Sequence, residues 1–115
     1  MSHKLRKRPE YPFEVEESVK QLGERLRLAR IRRSVSQEEM AQKSGITRKT
    51  LSEIEKGHAG ASFGNVLAVL WTLGMLDGVK HLADPETDEH GRILEAARQR
   101  QRVRHSPASE PDNDF

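Results

Sequence analysis

The chain has 115 residues, 20 Lys or Arg against 18 Asp or Glu, 33% charged and 34% hydrophobic residues, and a net charge of +2. Such a chain makes one domain at most, with a small core and little room for a walled catalytic cleft, so an enzyme is not expected. There is no cysteine, hence no disulfide or thiolate metal site, and with no apolar run of about 18 residues and no signal-peptide pattern the expected location is the cytoplasm.

Taken in order, Met1 to Arg8 carries Lys4, Arg6, Lys7 and Arg8 without apolar periodicity and is followed by Pro9 and Pro12. It is expected to be disordered when free, either a solubilising terminus or a basic arm that reaches along a phosphate backbone or into a minor groove. Tyr11, Phe13 and Val15 alternate with Pro12 and Glu14, the pattern of a short extended segment that Pro12 would confine to an edge. From about Glu17 to Arg33 the period becomes helical: Val19, Leu22, Leu26 and Ala29 recur at steps of three and four, with Ile31 beyond them. The outer face of this helix, Arg25, Arg27, Arg32 and Arg33, is basic and reads as a solvated face or as a flank for a polyanion.

Between Val35 and His58 two helix starts, one tight turn and a helix stop follow one another. Ser36 is a good N-cap, with Glu39 three residues on to complete a capping box. The helix from Gln37 turns Met40 and Ala41 inward among Gln37, Glu38, Gln42 and Lys43, and Gly45 supplies the left-handed residue that ends it. Thr47 caps a second helix, Arg48 to Lys56, whose buried positions are Leu51 and Ile54, before Gly57 stops it. This is a helix-turn-helix. The exposed side of the second helix holds Thr47, Arg48, Lys49, Thr50, Ser52, Glu53 and Lys56, donor-rich residues that can bond bases and phosphates. A helix N-terminus is also favourable for phosphate.

After Gly57, Ser62 can cap a helix from Phe63 to Leu73, ended by Gly74. Its apolar residues Phe63, Val66, Leu67, Val69, Leu70 and Leu73 cover more than one face, so it needs both a core and a second partner. Trp71, the one tryptophan, reads as a core residue or as the anchor of a dimer or partner contact. Met75 to Ala83 reads as a short fifth helix through Met75, Leu76, Val79 and Leu82. Asp84-Pro85 breaks the chain. The stretch Arg92 to Arg104 is at best a marginal helix, whose arginines read as linker, as a tail that folds on a partner, or as phosphate contacts. The segment beyond His105 is acidic and expected to be disordered. The expected organisation is an N-terminal arm over 1–16, a helix-turn-helix domain over 17–83, and a linker, marginal helix and tail over 84–115.

Charge is distributed unevenly. Lys20, Arg25, Arg27, Arg30, Arg32, Arg33, Lys43, Arg48, Lys49 and Lys56 fall between Ser18 and His58 against Glu24, Glu38, Glu39, Glu53 and Glu55, whereas Ala108 to Phe115 has three acids and no base. The local positive field suits a polyanion, bound with the salt dependence of counterion release. His3, His58, His81, His90 and His105 have no ligand spacing, so no metal site is expected. No Gly-rich phosphate loop, catalytic triad or paired-carboxylate motif is recognisable, and no cofactor is expected.

The stretch SQEEMAQKSGITRKTLSEIEKG resembles the Xre/Cro-type helix-turn-helix of phage repressors and bacterial regulators. The resemblance rests on Gln37, Ala41, Gly45, Leu51, the Ile54-Glu55 pair and Gly57 at their mutual spacing, and covers roughly Leu22 to Leu73. It implies an all-α, lambda-repressor-like bundle of about five helices that binds double-stranded DNA as a homodimer. It also implies a structural ion pair between Arg30 and Glu55. On this likeness Thr47, Arg48, Lys49, Ser52 and Glu53 are the expected base-reading residues. Ser36, Gln37, Lys43, Thr50, Lys56 and His58 are the expected phosphate contacts. The small size, single helix-turn-helix and C-terminal tail are also similar to a HipB-type antitoxin, which represses its own operon and binds a HipA-type kinase toxin. The alternative is a protein-interaction adaptor whose helix-turn-helix no longer reads DNA. Acids or apolar residues on the recognition face would mark such an adaptor, and here only Glu53 is of that kind.

Overall fold

The computed structural model describes residues 10–105, so the expected basic arm at Met1 to Arg8 and the acidic tail beyond His105 lie outside the described residues. Among the described residues every regular element is helical, and the fold is all-α.

Helix α1, Phe13–Arg32, begins four residues before the expected start at Glu17. The alternation around Pro12 therefore belongs to a helix and not to an extended segment. Pro12 has φ −58° and its carbonyl accepts from the N–H groups of Val15 and Glu16, while Glu14 and Glu16 in the first turn and Arg30 and Arg32 in the last complement the helix dipole. Phe13 and Val15 stay exposed, so no sheet face ever needed them. The buried residues of α1 are Gly23, Leu26, Ala29 and Arg30, while Leu22 and Ile31, expected on the inner face, are exposed.

Helices α2, Gln37–Ser44, and α3, Arg48–Glu55, follow from local chemistry. Ser36 Oγ accepts from Glu39 N–H at 3.1 Å and Thr47 Oγ1 from Thr50 N–H at 3.0 Å, each relieving an orphan donor of a first turn. Only this half of the capping box forms; the Glu39 carboxylate lies instead 3.1 Å from Lys43 Nζ, one turn on. Gly45 sits at φ 76°, ψ 26°, and its N–H closes back on α2.

Helix α4, Phe63–Leu73, is capped by Ser62 Oγ, which accepts from Asn65 N–H at 3.2 Å. It lies against α2 and α1. The core is Leu26 and Ala29 of α1, Met40 and Ala41 of α2, Leu51 and Ile54 of α3, and Val69 and Leu73 of α4, with Val35, Ile46, Ala61, Val66 and Leu70 packed around it. Arg33, expected on the outer basic face, is exposed but bridges α1 and α4: its guanidinium donates to the carbonyls of Ala29 at 2.8 Å and Leu73 at 3.2 Å. It thereby satisfies a carbonyl at the end of α4 that has no partner within its own helix.

Two compact units divide between Asp77 and Gly78. The fifth element is a 3₁₀ turn, Leu76–His81, with no buried residue, where an α-helix over Met75 to Ala83 was expected. Leu82 is left 62% exposed and Ala83 takes a positive φ of 53°, which ends any helical continuation. In the second unit Asp84 caps a short 3₁₀ turn, Pro85–Thr87, and Asp88 Oδ1 accepts from Gly91 N–H at 3.0 Å as the chain enters α5, Glu89–His105. This helix runs without a break for 17 residues, longer and more regular than its sequence pattern led one to expect. Among the described residues no helix is long and apolar enough to cross a membrane.

Candidate nucleic-acid interface

The orientation of α3 is set from beneath. Leu51 and Ile54 are buried in the core, and beside them Glu55 is buried as a charge. Its carboxylate accepts from Arg30 Nε at 2.7 Å and Arg30 Nη2 at 3.0 Å, and Arg30 Nη1 donates onward to the Val35 carbonyl at 2.9 Å. This two-point pairing ties α1 to the end of α3. The hydrogen bond to Glu55 outweighs desolvation and holds the Arg30 pKa above its ordinary value. A third donor, Gln37 Nε2, reaches Glu55 Oε1 at 3.0 Å. No buried side-chain nitrogen or oxygen among the described residues lacks a partner.

Close approach of α1 to α3 depends on Gly23. A Cβ there would lie 2.5 Å from the Ile54 carbonyl oxygen and 2.9 Å from that of Glu55. Neither backbone atom can move without shifting the C-terminal end of α3, so the glycine is required by tertiary contact and not by its own dihedral angles.

With one side of α3 fixed, the other is determined by the 100° advance per residue. Lys49, Glu53 and Lys56 fall opposite the buried side, with Arg48 and Ser52 on one flank and Thr50 on the other. Thr47, Arg48, Lys49 and Lys56 are exposed, and Thr50, Ser52 and Glu53 are half-buried. The Thr47 hydroxyl is occupied twice: it caps Thr50 N–H and donates to Thr50 Oγ1 at 2.9 Å. Those two threonines therefore form the start of the helix before they can serve a ligand. Arg48 Nε lies 3.5 Å from Gln37 Oε1, so Gln37 stands between the buried Glu55 and the exposed Arg48. Its amide touches both, a role that its position as the first residue of α2 did not announce.

The remaining residues expected at phosphates are placed around this helix. Ser36, Lys43 and His58 are exposed and Gln37 is half-buried. Lys43 is paired with Glu39. Glu53 and His58 come together at the C-terminal end of α3, where they line an open cleft of about 530 Å³ with Tyr11, Glu16, Lys20 and Gly57. The structure thus separates the expected base-reading residues into a first-turn group, Thr47, Arg48 and Lys49, and a second group, Ser52 and Glu53, whose acid belongs equally to the cleft. Among the described residues no group of three or more His, Asp or Glu is placed to hold a metal ion.

The sequence model of one protein family, described as a helix-turn-helix domain, matches residues 21–82. No curated protein matches the chain.

Proposed function

The chain belongs to the helix-turn-helix domain family, which makes it a DNA-binding regulator, and we propose that it acts as a repressor reading an inverted-repeat operator as a homodimer. In this reading it is a binder and not an enzyme. The observation that carries it is the asymmetry of α3: one side is locked by Leu51, Ile54 and the Glu55 ion pair, while its exposed first turn offers Lys49 opposite that side and Arg48 on the flank beside it. A helix held that rigidly can present side chains to base edges in a major groove at low entropic cost. Arg48 and Lys49 then read bases, Lys56 and His58 meet phosphates, and Gln37 orients Arg48.

The dimer is supported by α4. Phe63, Leu67 and Trp71 recur at every fourth residue of the helix, with Phe63 and Trp71 each 64% exposed, and Met75, past the Gly74 cap, is 45% exposed. No residue of α4 is charged, in a chain that is 33% charged. A neutral apolar stripe can meet its own copy across a two-fold axis without like-charge repulsion, and one recognition helix spans too few base pairs to be specific alone. The likeness to HipB-type antitoxins adds a HipA-type kinase toxin as a protein partner, which co-purification from the native host tests.

Selection from a random duplex pool, followed by sedimentation with the selected site, tests the main reading. The expected result is an inverted repeat with half-sites about one helical turn apart, bound by two protomers. A single asymmetric site bound by one protomer contradicts it, and no enrichment at all would favour the adaptor.

A further inference from the structure

Glu53 is the one acid on the outer side of α3, in line with Lys49 one turn before it and opposite the buried Leu51 and Ile54. Among the described residues no salt bridge ties it to Lys49 or Lys56, its neighbours on that side. Its surroundings are set by α1. Glu53 is half-buried and lines its cleft together with Tyr11, Glu16 and Lys20, all of which precede residue 21, where the family match begins. Helix α1 starts at Phe13 and passes so close over the end of α3 that a Cβ on Gly57 would lie 2.6 Å from Lys20 Cα. The first two turns of α1 therefore wall one side of Glu53. A side chain with fewer rotamers to lose is ordered by a ligand at lower cost.

The chemistry of the group narrows the ligand. An ionised carboxylate accepts hydrogen bonds and donates none. In a major groove guanine presents two acceptors, thymine an acceptor and a methyl group, adenine a donor beside an acceptor, and cytosine a donor alone. Cytosine is thus the one base that gives a carboxylate a partner without also setting an acceptor against it. At any other base an acid among phosphates is repelled, so it selects by penalty as well as by attraction. A step of four residues advances about 6 Å along a helix, or up to about two base-pair steps.

We infer that Glu53 is a specificity-determining residue, which accepts from the N4 amino group of a cytosine within about two base pairs of the base met by Lys49. It contributes selectivity and lowers affinity for random sequence. This rests on the reading of the chain as a DNA-binding protein, and it assigns the identity of one base in each half-site.

The test takes the full-length wild type, Glu53→Gln and Glu53→Ala separately through selection from a random duplex pool. Glutamine is close to glutamate in size but bonds adenine through N6 and N7. One half-site position should be cytosine for the wild type, adenine for Glu53→Gln and unselected for Glu53→Ala, with the other positions unchanged. At that position the wild type should prefer cytosine over adenine by about 5- to 150-fold, and Glu53→Gln should reverse the preference. Affinity of Glu53→Gln for random duplex should be no lower than that of the wild type, since a negative charge is removed. Identical half-sites for all three proteins overturn this proposal alone. So does a changed position that is not cytosine for the wild type, or a Glu53→Gln protein that binds operator and random duplex equally more weakly. A wild type that enriches no sequence defeats the DNA-binding reading itself, and this proposal with it.

Discussion

Replacing Arg30 by methionine isolates the device that holds the recognition helix. Glu55 has a side chain only 3% exposed, and its carboxylate accepts three N–H groups: Arg30 Nε at 2.7 Å, Arg30 Nη2 at 3.0 Å and Gln37 Nε2 at 3.0 Å. Arg30→Met removes two of these donors and the whole compensating charge. Stranding a buried charge costs about 3–5 kcal/mol. The surviving Gln37 bond, a hydrogen bond to a charged group, places the cost toward the lower end, about 3 kcal/mol. For a unit of this size that lowers the melting temperature by roughly 12–24 °C. Urea unfolding and a thermal melt followed by far-UV circular dichroism measure it. The double variant Arg30→Met with Glu55→Leu should recover most of the loss, because an apolar pair of similar volume is often as stable as a buried ion pair. The reasoning is refuted if the single variant lies within about 1 kcal/mol of wild type, or if the double variant loses the sum of the two single losses, since contacting partners must couple.

Gly23→Ala should destabilise by about 1–3 kcal/mol in urea, because the added methyl meets the Ile54 and Glu55 carbonyls and not a movable side chain. Gln37→Ala should lower both the urea midpoint and the affinity for the selected operator, as it unties Glu55 and Arg48 together; an unchanged midpoint would mean that the bond to Glu55 carries no stability. Trp71→Asp should leave the protomer folded, its side chain being mostly exposed, while sedimentation shows the dimer dissociating; a dimer that survives would move the interface off α4. A chain ending at Ala83 should keep a cooperative melt, because every buried core residue lies between Leu26 and Leu73, and a lost transition would place part of the core downstream.

The parts of this fold that depend on neighbouring residues were legible in the sequence. Ser36, Gly45, Thr47, Ser62 and Gly74 mark helix ends through hydrogen bonds and dihedral angles within a few positions, and the helices start and stop beside them. What required the fold is tertiary. Nothing local to Gly23 shows that another helix will press against it, and nothing local to Arg33 shows that its guanidinium will reach the Leu73 carbonyl 40 positions away. The position of Gln37 at the start of α2 points to phosphate; its further contacts to Glu55 and Arg48 arise only when the turn brings α2 against α3. Three alternating residues around Pro12 imitate a strand and hide the start of α1, although proline followed by Glu14 and Glu16 is equally a helix start. The length of α5 was hidden for a different reason: a helix with no buried face leaves no apolar period to detect.

The central claim is that the first turn of α3 reads base identity, and the affinity ratio between the selected operator and random duplex measures it most directly. Compared at one salt concentration, Arg48→Ala should reduce that ratio by about 1–3 kcal/mol, roughly 5- to 150-fold, with random-duplex affinity falling far less. Lys56→Ala, a phosphate contact in this account, should weaken both duplexes alike and leave the ratio intact. An Arg48→Ala protein with the wild-type ratio would contradict the account and remove sequence reading from this face of α3.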